Sequence, residues 1–164
     1  MSSSLEAFLG PELLLLYQDG EKLLSTVNPV YSDYSFIVFP FAKVYEGFLK
    51  KLFLQIGAIN EFQYNNDRWR VGRALNPQLE KDQRHTESVY DRIVSLCGPA
   101  FAQGSGEARG ISLAETLWEA WKKGRNQIFH FWPGRSRPLS LNEARGIILE
   151  LEQAMEAALT ECKT

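Results

Sequence analysis

Three side chains in the stretch KKGRNQIFHFWPG, Lys122 to Gly134, are of types that can handle a phosphate: Arg125, Asn126 and His130. An arginine is a permanent cation with a fork of donors that matches phosphate oxygens. A histidine changes charge near neutral pH and can take or give a proton. Side by side they are what phosphodiester cleavage needs. Asn126 and His130 are four residues apart and stack on one helical face. Arg125 lies about 140° round the helix from His130, and its long stem can still reach the same groove. His130 is expected in the last helical turn, where unpaired carbonyls favour an imidazolium. A histidine there can equally serve as a structural helix cap.

The elements that must hold these residues read as helices. The first is expected from Pro11 to Ser25, ended by Asn28-Pro29. A second runs from Ser32 or Asp33 to Gly57, with Ile37, Phe41, Val44, Phe48, Leu52 and Ile56 on one apolar arc and Pro40 set to kink it or to mark a broken start. The stretch Asn60 to Asn76 is polar. A third helix is expected over Pro77–Leu96, and QGSGEARG reads as a flexible loop. Two capping boxes follow, Ser112 with Glu115 and Ser140 with Glu143. They open a fourth helix, Leu113–Phe131, stopped by Pro133-Gly134, and a fifth, Leu141–Cys162. Leu113, Leu117, Trp121, Ile128 and Phe131 are expected in the core, and Gly124 where another helix comes close. The fold class is all-α, an irregular bundle of about five helices in a single domain over residues 1–164.

Composition narrows the function. A chain with 45% hydrophobic and 23% charged residues and net charge −2 is an ordinary globular protein, not a strongly basic nucleic-acid coat. The N-terminus has no basic region, and its apolar run Leu13–Leu16 is too short for a signal peptide or a membrane span. Cys97 and Cys162 lack metal-ligand spacing, and with His85 and His130 as the two histidines a zinc site is not expected. Both cysteines read as thiols of a reducing compartment, which implies a cytoplasmic protein without membrane contact.

The segment Arg125-Asn126-x-x-x-His130 resembles the Arg-(Asn/His/Asp)-x3-His signature of the HEPN superfamily of helical-bundle ribonucleases and nucleotide-binding proteins. YSFIVFPFAKVYEGFLKKLF, Tyr34 to Phe53, is similar to the second long helix in the toxin domain of ribonuclease LS type toxins of bacterial toxin–antitoxin systems. The resemblance covers most of the chain from about Tyr31. It implies that Glu46, in YEGFLK, joins Arg125, Asn126 and His130 in catalysis. Read without it, Glu46 pairs with Lys50 four residues on along the same helix. Full-length members of that family carry further N-terminal domains. Some HEPN toxins have a modifiable tyrosine two residues after the histidine, where this chain has Trp132.

The implied activity is endoribonuclease cleavage without metal or other cofactor. The ribose 2′-hydroxyl attacks its own phosphate with His130 as general base or acid, Arg125 stabilises the charged phosphorane, Asn126 orients a phosphate oxygen or His130, and Glu46 orients Arg125 or tunes His130. One motif histidine per chain suggests a two-fold homodimer, as the resemblance implies, and the same resemblance implies a cognate antitoxin protein. Lys122, Lys123, Arg135 and Arg137 flank the motif and are expected to hold RNA. Tyr64, Arg68, Trp69, Arg70 and Arg73 form a second mixture of cations and rings, more readily taken as a solvated loop. A rival function is a non-catalytic HEPN-like module that dimerises or docks a protein or nucleotide, with exposed aromatic surface around Trp118 or Trp132.

Overall fold

A serine starts the first helix. Ser2 is extended, and its hydroxyl accepts the Leu5 N–H at 3.2 Å, capping α1, Ser3–Thr26. This is seen in a computed structural model that describes residues 1–78, 88–97, 106–130, 133–134 and 137–162, without the side chains of 106–112. The expected start at Pro11 is a kink instead. Gly10 takes φ 71° there, a conformation that costs glycine little, and Pro11 brings no N–H to the broken turn. Lys51 donates to the carbonyls of Phe8 and Leu9 at the break.

The central element is α2, Ser35–Gln55. The expected apolar arc is buried from Ile37 to Leu52, and Ile56 is half-buried just past the end. Val38, Ala42, Tyr45, Leu49 and Phe53 are buried as well, because α1 and α8 cover α2 and Tyr45 bonds to α6. Pro40 does not interrupt it. It lies close to the helix start, where the missing N–H leaves only the Phe36 carbonyl without its helical partner. The buried Tyr45 hydroxyl donates to the Leu117 carbonyl at 2.9 Å. That bond fixes the rotation of α2 and so the direction of its neighbour Glu46.

The polar stretch after α2 is more ordered than expected. It forms α3, Glu61–Asn65, and α4, Val71–Leu75. Asn60 and Gln63 make a reciprocal capping box, a signal present in the sequence but not read there. The expected third helix is shorter: Pro77 and Gln78 lie in a turn, and α5, Val89–Leu96, begins at the extended cap Ser88. The intervening residues 79–87 lie outside the description.

The expected flexible loop is partly helix. Its last residues open α6, Gly106–Trp121, so Ser112 lies within a helix rather than at its start. The same helix axis continues through a π-turn, Lys122–Asn126, into α7, Gln127–Phe129. The last long helix is α8, Leu141–Glu161, opened by the expected Ser140/Glu143 capping box. All described elements are helical, and α3 and α4 raise their number above the five expected. No helix among the described residues is long and apolar enough to cross a membrane.

The reading of Cys97 and Cys162 as thiols is overturned. They form a disulfide between the C-caps of α5 and α8, 65 residues apart in sequence. Nothing in their spacing announced it, since both caps come together only once α6 has carried α5 against the bundle. The pairing removes the ground on which a reducing compartment was inferred.

Candidate functional site

The π-turn sets the directions of the candidate residues. The Gln127 N–H donates to the Lys122 carbonyl, five residues back, so one extra residue is accommodated in this turn. Gly124 sits at its centre, where a Cβ would come within 2.7 Å of Leu151 in α8. The close approach expected at Gly124 is therefore made with α8.

Arg125 leaves the π-turn toward α2. Its Nη2 is 3.3 Å from the Glu46 carboxylate, both side chains being roughly one-third exposed, at 35% and 27%. The guanidinium carbon lies 5.9 Å from the Trp121 ring centre and 5.6 Å from that of Phe129. Two rings and one carboxylate thus hold this cation in place. Glu46 pairs with Arg125 rather than with Lys50, which reaches the Tyr64 carbonyl at 3.5 Å and the Trp69 ring.

Asn126 and His130 face another way. They line an open groove of about 1200 Å³ between the end of the fourth long helix and the first half of α8. Lys122, Lys123 and Arg137 also line it, while Arg125 and Glu46 do not. His130 is exposed and lies just past the helix, at φ −114° and ψ 132°, rather than in its last turn. The helix ends at Phe129, two residues earlier than the expected Phe131, which with Trp132 and Arg135 falls outside the described residues.

The groove is less basic than the sequence suggests. Lys123 pairs with Glu150 at 2.9 Å, Arg137 with Glu143 at 2.6 Å, and Lys122 with Glu119. Asp33 adds a further carboxylate to the lining. Partial burial would raise the Asp33 carboxyl, but hydrogen bonds from Ser35 and Leu139 outweigh it and hold the group below its ordinary range. The Leu139 N–H donates to Asp33 at 3.0 Å and the Tyr34 N–H donates to the Leu139 carbonyl at 2.9 Å. These bonds tie the strap before α8 to the start of α2 and close one side of the groove. Glu143 is lowered to about 2, chiefly by the Arg137 bond and then by Ser140.

Asp33, Glu143 and Glu150 were not among the expected site residues. Asp33 carries a local signal, an Asp two residues before Ser35 that forms an Asx-turn. Glu150 carries none, because its place beside Lys123 depends on how two distant helices cross. The other cationic segment keeps its rings and its cations apart in exposure. Tyr64 and Trp69 are partly buried against the core, while Arg68, Arg70 and Arg73 are exposed. Trp118 is likewise half-buried against the core rather than displayed.

No family model, curated protein or solved structure matches this chain.

Proposed function

We propose that the protein is a HEPN-like, metal-independent endoribonuclease acting as the toxin of a toxin–antitoxin pair. The observation that carries this reading is the Glu46–Arg125 ion pair, which joins α2 to the turn that bears Asn126 and precedes His130. The pair links residues 79 apart in sequence and so sets this face of α2 against the turn. In the proposed reaction His130 takes the proton of a ribose 2′-hydroxyl as its oxygen bonds to phosphorus. The bond to the 5′-oxygen breaks and that oxygen is protonated, leaving a 2′,3′-cyclic phosphate and a 5′-hydroxyl. Arg125, positioned by Glu46, offsets the charge that grows on the phosphorane. Asn126 orients a phosphate oxygen. A two-fold dimer supplies the second histidine, and the antitoxin acts by covering the groove. Lys122, Lys123, Arg137 and Arg135 are the backbone contacts in this reading, and the first three must exchange a carboxylate for a phosphate. A cytoplasmic location loses the support that free thiols gave it.

The test is His130→Ala on single-stranded RNA. General acid–base groups contribute about 10²–10⁴-fold. Cleavage should fall by that factor, with the circular dichroism spectrum and melting temperature unchanged, and wild-type cleavage should persist in EDTA. Full activity in the variant ends the proposal.

The charge-compensated rim favours a second reading, a non-catalytic HEPN-like module that docks a protein. Carboxylates already beside Lys122, Lys123 and Arg137 suit a partner carrying both signs. Purified protein that cuts no RNA, yet retains a polypeptide partner through Lys123→Glu-sensitive binding, supports this reading over the first.

A further inference from the structure

Phe36, Phe39, Lys43 and Glu46 are spaced three, four and three residues apart on α2 and form one narrow stripe along it. The far end of this stripe is Glu46, which holds Arg125. Two places nearer the helix start, beyond Lys43, Phe39 meets Phe129 edge to face, with ring centres 5.4 Å apart. Phe129 also lines the groove with His130, so the stripe and the groove share this ring.

Large apolar side chains on a surface are ordinary when scattered, but these are gathered. Phe36 is 41%, Phe39 45% and Tyr31 55% exposed. They are also held in place. Phe36 packs against Tyr31 and Tyr34, and the Tyr34 hydroxyl is fixed between the Tyr31 N–H and the Asn28 carbonyl. The charge on the stripe is cationic in effect. Lys43 lies 5.8 Å from the Phe39 ring centre and makes no ion pair among the described residues, while Glu46 is taken up by Arg125. This differs from the groove, whose cations all face carboxylates.

We infer that this stripe is a base-stacking shelf for single-stranded RNA, with Phe39 and Phe36 receiving bases and Lys43 the adjoining phosphate, continuous through Phe129 with the groove that His130 lines. The inference rests on the ribonuclease reading and names its substrate class. Exposed rings offer their faces to any unpaired base and discriminate little between sequences, whereas a duplex keeps its bases stacked on one another. Beside them, a cation with no ion pair among the described residues complements the polyanion.

The experiment measures binding of a fluorescein-labelled 2′-O-methyl oligouridylate, which cannot be cut, and of a duplex of matched length. Phe39→Ala should weaken single-strand binding by about 5- to 150-fold and duplex binding by less than about twofold. Lys43→Gln should flatten the single-strand salt dependence by roughly 0.7 in the logarithmic slope. Circular dichroism checks that both variants fold, and sedimentation equilibrium checks their assembly. Phe39→Ala and Lys43→Gln proteins that bind the single strand as wild type does overturn the shelf alone. So does a Phe39→Ala change that dissociates a dimer while binding per protomer stays constant, since a second copy then covers the stripe. Wild-type protein that binds neither strand form overturns the ribonuclease reading, and the shelf with it.

Discussion

The two halves of α8 use the same kinds of side chain to opposite ends. Toward its C-terminus, Glu152 accepts from the Tyr17 hydroxyl, and Glu156 accepts from both the N–H and the hydroxyl of Ser2, at 2.7 and 2.6 Å. Cys162 then bonds covalently to Cys97. Glu152 and Glu156 are both half-buried and serve to fasten α1. Toward its N-terminus, Glu143 and Glu150 hold their cations at the rim of an open groove, in water. Partly buried hydrogen bonds to a charge are worth about 1.5–3 kcal/mol, and exposed ion pairs about 0–1 kcal/mol. One half of the helix therefore holds the fold together, and the other can give up its contacts to a ligand at little cost.

The strongest way to break this contrast is to remove the disulfide. It closes a loop of 65 residues in sequence, which corresponds to about 4 kcal/mol of stability in the chain-entropy view. Denaturant unfolding of Cys97→Ser/Cys162→Ser protein, compared with the oxidised form, should show a loss of that order, while RNA binding at low denaturant is retained. A smaller effect is expected from Tyr17→Phe, which deprives Glu152 of its donor and should cost about 1.5–3 kcal/mol in the same measurement.

The weakest effect belongs to the groove half and appears as a pH dependence. The Glu143 carboxyl is lowered from 4.5 to about 2 in the folded protein, so the folded state binds fewer protons than the unfolded one between those values. Its contribution is complete above pH 4.5 and is lost as pH falls toward 2. Thermal melts of wild type and Glu143→Gln should differ above that window and converge below it. A difference that persists unchanged below the window would mean that capping geometry, and not the carboxylate charge, carries the effect.

The same division explains what could be read from the sequence. The period of α2 showed its buried arc, and Ser140 with Glu143 marked the start of α8, because both are local patterns. Ser112 with Glu115 had the same spelling as a helix start and was misleading, since α6 already runs from Gly106. The Asn60/Gln63 box was overlooked in a stretch dominated by polar residues. In the candidate site, Arg125, Asn126 and His130 stood out by type and spacing, and Glu46 was joined to Arg125 only through the family resemblance. Their division into an Arg125 side and a groove side was hidden, because it follows from a π-turn that no residue pattern marked. The disulfide and the Lys123–Glu150 pair depend on which helix ends meet and which helices cross, and spacing along the chain does not report that.

The π-turn also makes this part of the chain sensitive to length. It is one residue longer than the α-helical path between the same two points, and a residue advances a helix by about 100°. Deleting a single residue between Lys122 and Asn126 would restore a regular helix and leave most of the core in register. The turn absorbs the extra residue, so the helix beyond it would keep its facing, while Arg125 and Asn126 inside it would shift relative to Glu46 and the groove. Length in this segment thus decides where Arg125 and Asn126 point, and at Gly124 size is fixed as well, since a side chain there would run into Leu151.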